Sequence, residues 1–231
     1  MRKSRRPKTS LRESPYSLPE QAYHREPEPI RPKTANQDRY IKAIKTGKVI
    51  FGTGSAGSGK SFIAASMAAD MIRNGEFSKL LIIRPAVGAQ EDLGFIPGEL
   101  EEKYAPYIFP IKEILYERLG KSQTDYMLKV GKIEGAPIAF LRGRTFKDCV
   151  VLVDEAQNIT PGQMKLILTR IGENCKMIIT GDSSQRDLTG KSGLNDAIEK
   201  IGWIPQVKVV TFTAADVVRS GICGDIVSSY E

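Results

Sequence analysis

Residues Gly54, Ser55, Ala56, Gly57, Ser58, Gly59, Lys60 and Ser61 follow one pattern without a gap: glycine, four residues, glycine, lysine, then a hydroxyl residue. Just before it, Val49-Ile50-Phe51 is a short apolar run that predicts a buried strand. Just after it, Phe62, Ile63, Met67, Met71 and Ile72 recur at helical spacing, with small alanines between them. Strand, glycine-rich loop and helix are the context that turns such a pattern into a phosphate site. The glycines let successive N–H groups converge on one phosphate chain, and the helix N-terminus adds its dipole. In such a loop the lysine meets the β- and γ-phosphates and the hydroxyl ligates magnesium. Lys60 and Ser61 are the residues for those tasks, with a nucleotide and Mg2+ as the expected ligands. A glycine-rich turn that binds nothing is the competing explanation, and the complete pattern in its strand–helix context disfavours it.

A second stretch carries the matching acid. Cys149-Val150-Val151-Leu152-Val153 is apolar throughout and ends in Asp154-Glu155, which predicts a fully buried parallel strand with charge at its tip. In phosphate-loop nucleotidases the first acid holds magnesium, which assigns Asp154. Glu155 beside it is placed to orient or deprotonate an attacking water. Strand-end carboxylates are common, so the pair gains its meaning from the loop upstream. A third strand, Met177-Ile178-Ile179-Thr180, runs into the polar cluster Gly181-Asp182-Ser183-Ser184-Gln185, which can sense a γ-phosphate.

The remaining segments alternate in the same way. Thr34 to Asp38 opens a helix with Tyr40, Ile41 and Ile44 on one face, ending at Gly47. Its Gln37 lies close enough upstream of the loop to reach an adenine edge, although a surface or capping role is the commoner use of such a residue. Lys79 to Arg84 predicts a strand, and Tyr107 to Leu119 a helix. Residues 120–136 give no firm pattern. Ile138 to Leu141 predicts a short strand, Pro161 to Gly172 and 192–201 helices, Val207 to Phe212 a last strand, and Ala214 to Tyr230 a terminal helix broken near Gly221. Strands alternating with helices imply an α/β fold with a mostly parallel sheet, covered on both faces, and ligands at the strands' C-terminal ends.

Charge divides the chain in two. Residues 1–33 carry nine Lys/Arg against four Glu and six of the 13 prolines, while the whole chain has a net charge of +7. Such a segment cannot bury enough surface to offset its ordering entropy, so a disordered basic tail over 1–33 and a nucleotide-binding domain over 34–231 are expected. The tail reads as an electrostatic arm for nucleic acid or as a solubilising or docking peptide. No apolar run approaches the ~18–20 residues of a membrane span. The three cysteines, scattered and without zinc spacing, suit a reduced, cytoplasmic protein. With His24 as the only histidine, histidine-based catalysis is nearly excluded.

The assembled motifs resemble those of the PhoH family, ATPases with a RecA-like core related to superfamily 1 helicases. The resemblance covers about Asn36 to Glu231. It rests on Gly54 to Ser61, Arg84-Pro85-Ala86-Val87, Leu93-Gly94-Phe95-Ile96-Pro97-Gly98, Arg142-Gly143-Arg144-Thr145, Asp154-Glu155-Ala156-Gln157-Asn158, Thr169-Arg170, Gly181 to Gln185, Lys191-Ser192-Gly193-Leu194 and Asp216-Val217-Val218-Arg219. It implies a RecA-like phosphate-loop ATPase acting on or with RNA or single-stranded DNA. It also implies that Gln37 reads adenine and that Gln185 senses the γ-phosphate. A superfamily 1 helicase has two RecA-like domains and some PhoH-like proteins add a nuclease domain. The present length suits one domain, similar to phage-encoded or stand-alone members working in a cytoplasm (the host's, for a phage). A single domain needs an arginine from elsewhere, which suggests a homo-oligomeric ring. By resemblance to ring-forming RecA-like ATPases the ring is a hexamer, with Arg142, Arg144 or Arg219 as the finger supplied in trans.

Two other functions use the same loop. A small-molecule kinase would need an acceptor site and an arginine-rich lid, and the Asp154-to-Gln157 run argues against it. A binding module that only senses nucleotide has no use for Glu155.

Overall fold

A strand that is apolar at every position must be covered on both faces, and β4 (Cys149–Val153) is such a strand. In the computed structural model, which describes residues 27–85, 100–185, 187 and 190–218, β4 lies inside a parallel sheet. Its companions are β1 (Val49–Gly54), β2 (Lys79–Ile83), β3 (Ile133–Gly135), β5 (Cys175–Gly181) and β6 (Val207–Phe212), in the order β3-β2-β4-β5-β1-β6. On one face lie α1 (Ala35–Thr46), α2 (Lys60–Arg73), α3 (Leu100–Leu119) and α4 (Lys121–Lys129). They meet Ile50, Leu80, Ile82, Val150, Leu152 and Ile178. On the other, α5 (Pro161–Leu168) and α6 (Gly193–Ile201) meet Phe51, Leu81, Ile83, Val151, Val153 and Ile179. The alternation of these two sets along each strand is the period of two expected of a pleated sheet.

Register places the strand tips. Ile83 is paired with Val153, and Val153 with Ile179, so the next residues of the three strands, Arg84, Asp154 and Thr180, emerge in one row. Thr53 is paired with Gly181, which sets the start of the glycine-rich loop beside the end of β5. Because β1 sits between β5 and β6 rather than beside β2, the chain crosses the sheet between its first two strands. The crevice above that reversal is where open α/β sheets bind ligands.

Four sequence expectations need correction or lie outside the described residues. Ile138–Leu141 is a 3-10 turn rather than a strand, entered from Pro137. Its buried residues, Ile138 and Leu141, are three apart, the spacing that a 3-10 turn stacks on one side, while Ala139 and Phe140 are exposed. Residues 120–136 do have structure, α4 and β3. In α4 only Thr124 and Met127 are buried, and β3 has three residues, too few to show a period. Ala214–Asp216 is a single 3-10 turn, and the rest of the expected terminal helix, from residue 219, lies outside the described residues. The tail differs at its end: Ile30 packs on the core of the first face and the Glu28 carbonyl accepts from Arg118, so residues 27–33 lie against the body. Prolines 27, 29 and 32 already restrict the unfolded segment, which lowers the entropy lost on docking. Residues 1–26 lie outside the described residues. Among the described residues no helix is long and apolar enough to cross a membrane.

The close seat of α1 depends on Gly52 in β1. A Cβ there would come within 2.7 Å of the fully buried Tyr40 ring. Gly52→Ala is expected to lower stability by about 1–3 kcal/mol, read from urea unfolding, without changing the fold.

Candidate nucleotide site

The glycine-rich loop is shaped by contacts from the end of the chain as well as by its own glycines. Gly54 has φ 109°, and a Cβ there would collide with the Phe212 carbonyl of β6. The Ser55 N–H donates to that same carbonyl at 3.3 Å, and the Val218 N–H donates to the Gly57 carbonyl at 3.1 Å. The loop is therefore clasped between β6 and the segment that follows it. Gly59, at φ 82°, turns the chain into α2.

Lys60 is folded back into this loop. Its Nζ donates to the carbonyls of Gly54 and Ser55, each at 2.7 Å, and to Ser58 Oγ at 3.2 Å. Burial pushes its pKa down, and the carboxylates of Asp182, Glu155 and Asp154 act against that shift. Ser61 Oγ donates to Asp154 Oδ1 at 2.7 Å, and Thr180 Oγ1 donates to the same oxygen at 2.7 Å. Two short hydroxyl contacts satisfy a carboxylate that is 3 % exposed. Lys60, Ser61, Asp154, Glu155, Asp182 and Gln185 line one cleft of about 260 Å³.

Glu155 is one residue beyond Asp154 and stands at φ 54°, a left-handed conformation that is uncommon for a side chain of its size. That turn carries its carboxylate to the wall of the cleft. Arg84 Nη2 donates to Glu155 Oε1 at 3.1 Å, and Gln157 Nε2 donates to Oε2 at 2.6 Å. Gln157 also donates to the Gln185 carbonyl at 3.1 Å and accepts from the Asp182 N–H at 3.0 Å. It thus ties the acidic tip of β4 to the polar tip of β5.

Beside the phosphate cleft a second cavity, of about 500 Å³, is lined by Arg31, Gln37, Gly59, Phe62, Ile63 and Val218 among others. Gln37 Nε2 donates to the Ser58 carbonyl at 3.0 Å, and Oε1 accepts from the Lys33 N–H at 2.7 Å. Gln37 is 4 % exposed, and one N–H and one lone pair of its carboxamide are left uncommitted by these two bonds, a donor–acceptor pair of the kind found on a purine edge.

The structure thus brings Ala56, Gly57, Gly59, Lys60, Ser61, Asp154, Glu155 and Gln185 around one cleft, leaves Gly54, Ser55 and Ser58 off its lining, and sets Gln37 in the cavity next to it. Arg142 and Arg144 do not join them. Both lie on the connection from β3, at the sheet's edge; Arg142 is exposed, and Arg144 forks Glu134 through contacts of 2.6 and 3.1 Å. Arg219 lies outside the described residues. The donors at the cleft are hard oxygens suited to magnesium, from Ser61 and Asp154, and such an ion characteristically takes its other ligands from phosphate and water. Among the described residues there is no group of three or more His, Cys, Asp or Glu that could hold a metal ion.

Sequence reasoning gave no task to Arg84, Gln157, Thr180 or Asp216. Arg84, Gln157 and Asp216 stand inside the motifs named above, so position in a motif was the available signal; Thr180 becomes legible only from strand register. Asp216 Oδ2 accepts from the Asn36 amide at 2.7 Å and from the Thr213 N–H at 2.9 Å, joining α1 to the segment that clasps the loop.

A glycine-rich loop at a helix N-terminus, an acid at the tip of the parallel strand next but one, and this strand order define a RecA-like phosphate-loop fold. The chain belongs to the PhoH family, whose "PhoH-like protein" description matches residues 29–231. It is 44% identical over 210 residues to Protein PhoH of Escherichia coli K12, over 89% of this chain and 59% of that protein. It is 45% identical over 204 residues to a PhoH-like protein of Bacillus subtilis, over 87% of this chain and 64% of that one. The chain spans less than two thirds of the length of these relatives. Among solved structures, the large terminase of a thermophilic bacteriophage, determined in complex with ADP, shares the fold: TM-score 0.54 at 11% identity, over 86% of this chain and 50% of that one.

The Asp216 contacts have a pH signature. Burial opposes its charge, but hydrogen bonds from the Thr213 N–H, the Asn36 amide and the Thr34 and Thr213 hydroxyls outweigh it, holding its pKa at about 2 against an ordinary 3.8. Because the folded value is the lower one, its contribution is complete above the unfolded pKa and is lost as pH falls through about 4 toward 2. Melting temperatures of the parent and of Asp216→Asn should differ by a constant amount above that window and converge within it.

Proposed function

We propose that this chain hydrolyses ATP with Mg2+, and that hydrolysis is coupled to binding RNA or single-stranded DNA in a homo-oligomeric ring in the cytoplasm. The observation that carries the proposal is the single cleft in which Lys60, the Ser61–Asp154 pair and Glu155 face one another. In this reading the loop N–H groups and Lys60 bind the phosphates, and Gln37 offers its free N–H and lone pair to the adenine edge. Ser61 and Asp154 would hold the magnesium ion, which when bound neutralises charge on the β- and γ-oxygens. Glu155 takes the proton of the attacking water, and Gln185, at the cleft's rim, contacts the γ-phosphate.

Coupling to nucleic acid is supported by charge. Residues 1–33 hold nine Lys/Arg against four Glu, and such clusters displace counterions from a phosphate backbone. Ring assembly is supported by the chemistry of phosphoryl transfer, in which an arginine from a neighbour stabilises charge on the equatorial oxygens. Arg142, exposed on the edge connection, suits that task better than Arg144, which would first have to leave Glu134.

Phosphate release from ATP, with and without RNA or single-stranded DNA, tests this reading, and sedimentation in the same buffers reads the assembly. Lys60→Ala is expected to abolish turnover. Glu155→Gln should bind ATP and cleave it about 10²–10³-fold more slowly. A Glu155→Gln protein hydrolysing at the parent rate would overturn the assignment of the base. Removing residues 1–26, which leaves the docked segment 27–33 in place, is expected to weaken RNA binding and flatten its dependence on salt. Equal affinities and equal salt slopes would assign the tail another use.

A further inference from the structure

Glu155 has both carboxylate oxygens engaged, Oε1 by Arg84 and Oε2 by Gln157. Of these two partners, Gln157 is a buried amide, whereas Arg84 brings a charge into the row of strand tips. Its guanidinium spans the acidic pair, with Nη2 3.1 Å from Glu155 and Nε 3.6 Å from Asp154 Oδ2. The arginine is itself fixed at further points. Nη1 donates to the Tyr107 carbonyl at 3.1 Å, and the Arg84 N–H donates to the Tyr104 hydroxyl at 2.7 Å. That hydroxyl in turn donates to the Arg84 carbonyl at 2.7 Å. Burial pushes the Tyr104 phenol up to about 12, so it keeps the proton it donates.

Position decides what this guanidinium can do. Lys60 and Ser61 line the phosphate cleft and Arg84 does not. Arg84 lines a different cavity, shared with Tyr107, Gln157 and Asn158, and Glu155 is a wall common to both. The arginine therefore stands behind Glu155 as seen from the phosphates. We propose that Arg84 is a positioning residue for hydrolysis: it sets the orientation of the Glu155 carboxylate from behind and does not touch the nucleotide. The arrangement suits arginine in particular, because a planar fork fixes direction where a lysine ammonium would supply charge alone. Each Glu155 oxygen keeps a second lone pair, so a carboxylate held in this way can still accept a proton from water.

This inference rests on the proposed role of Glu155, and a double-mutant cycle separates the two. Single-turnover hydrolysis of radiolabelled ATP is measured for the parent, Arg84→Ala, Glu155→Gln and the double variant, together with the affinity of each for a fluorescent non-hydrolysable ATP analogue. Misplacing a reacting group by about 1 Å costs on the order of 10²-fold in rate, so Arg84→Ala should lose about that much while its analogue affinity stays at the parent level. In the Glu155→Gln background the same change should cost nothing further, since its effect passes through the carboxylate. Arg84→Lys should fall between parent and alanine, and it replaces alanine in the cycle should that protein not fold. Equal losses in both backgrounds, an unchanged rate in Arg84→Ala, or a loss confined to analogue affinity would each overturn the positioning role. A parent without turnover, or a Glu155→Gln protein at the parent rate, would instead overturn the proposed function and this inference with it.

Discussion

Asp154 is the buried charge on which the rest of the site depends. One of its oxygens accepts from Ser61, 93 residues away in sequence, and from Thr180, and both bonds measure 2.7 Å. A carboxylate taken out of water without such partners would cost several kcal/mol. Here the hydroxyls come from the start of α2 and from β5, so satisfying the charge also fixes the glycine-rich loop against the central strands. The register of β2, β4 and β5 makes this possible, because it delivers Arg84, Asp154 and Thr180 side by side.

The loop is held from its other side by the last described part of the chain. β6 meets it at Ser55, the following segment meets it at Gly57, and Asp216 links that segment to Asn36 at the start of α1. Gln37, next in sequence to Asn36, is bound to the Ser58 carbonyl. The wall of the cavity at Gln37, the loop backbone and the end of the sheet are thus one hydrogen-bonded assembly.

Much of this was legible beforehand, for physical reasons. The phosphate loop needs its residue types at fixed spacing, and a strand buried on both faces announces itself as an unbroken apolar run, as Cys149 to Val153 does. The fold class and the pairing of the Gly54–Ser61 loop with Asp154 follow from those two features. What stayed hidden depends on distance in sequence. Thr180 gains its place only from strand register, which no local pattern encodes. Ile138 to Leu141 misled because four apolar or small residues fit a strand and a 3-10 turn equally well, and only the burial of the first and last tells them apart. In residues 27–33 composition suggested disorder, yet Ile30 packs on the core and the Glu28 carbonyl accepts from Arg118.

The central claim is that the cleft at Lys60 receives the phosphates of a magnesium nucleotide. Lys60 now spends its hydrogen bonds on the Gly54 and Ser55 carbonyls. A crystal structure of the full chain with Mg2+ and a non-hydrolysable ATP analogue tests the claim directly. The expected result is phosphates within the loop, Lys60 Nζ released from both carbonyls onto the terminal phosphates, the ion at Ser61 and the base beside Gln37. A nucleotide bound elsewhere, or bound with Lys60 still on the Gly54 and Ser55 carbonyls, would contradict it.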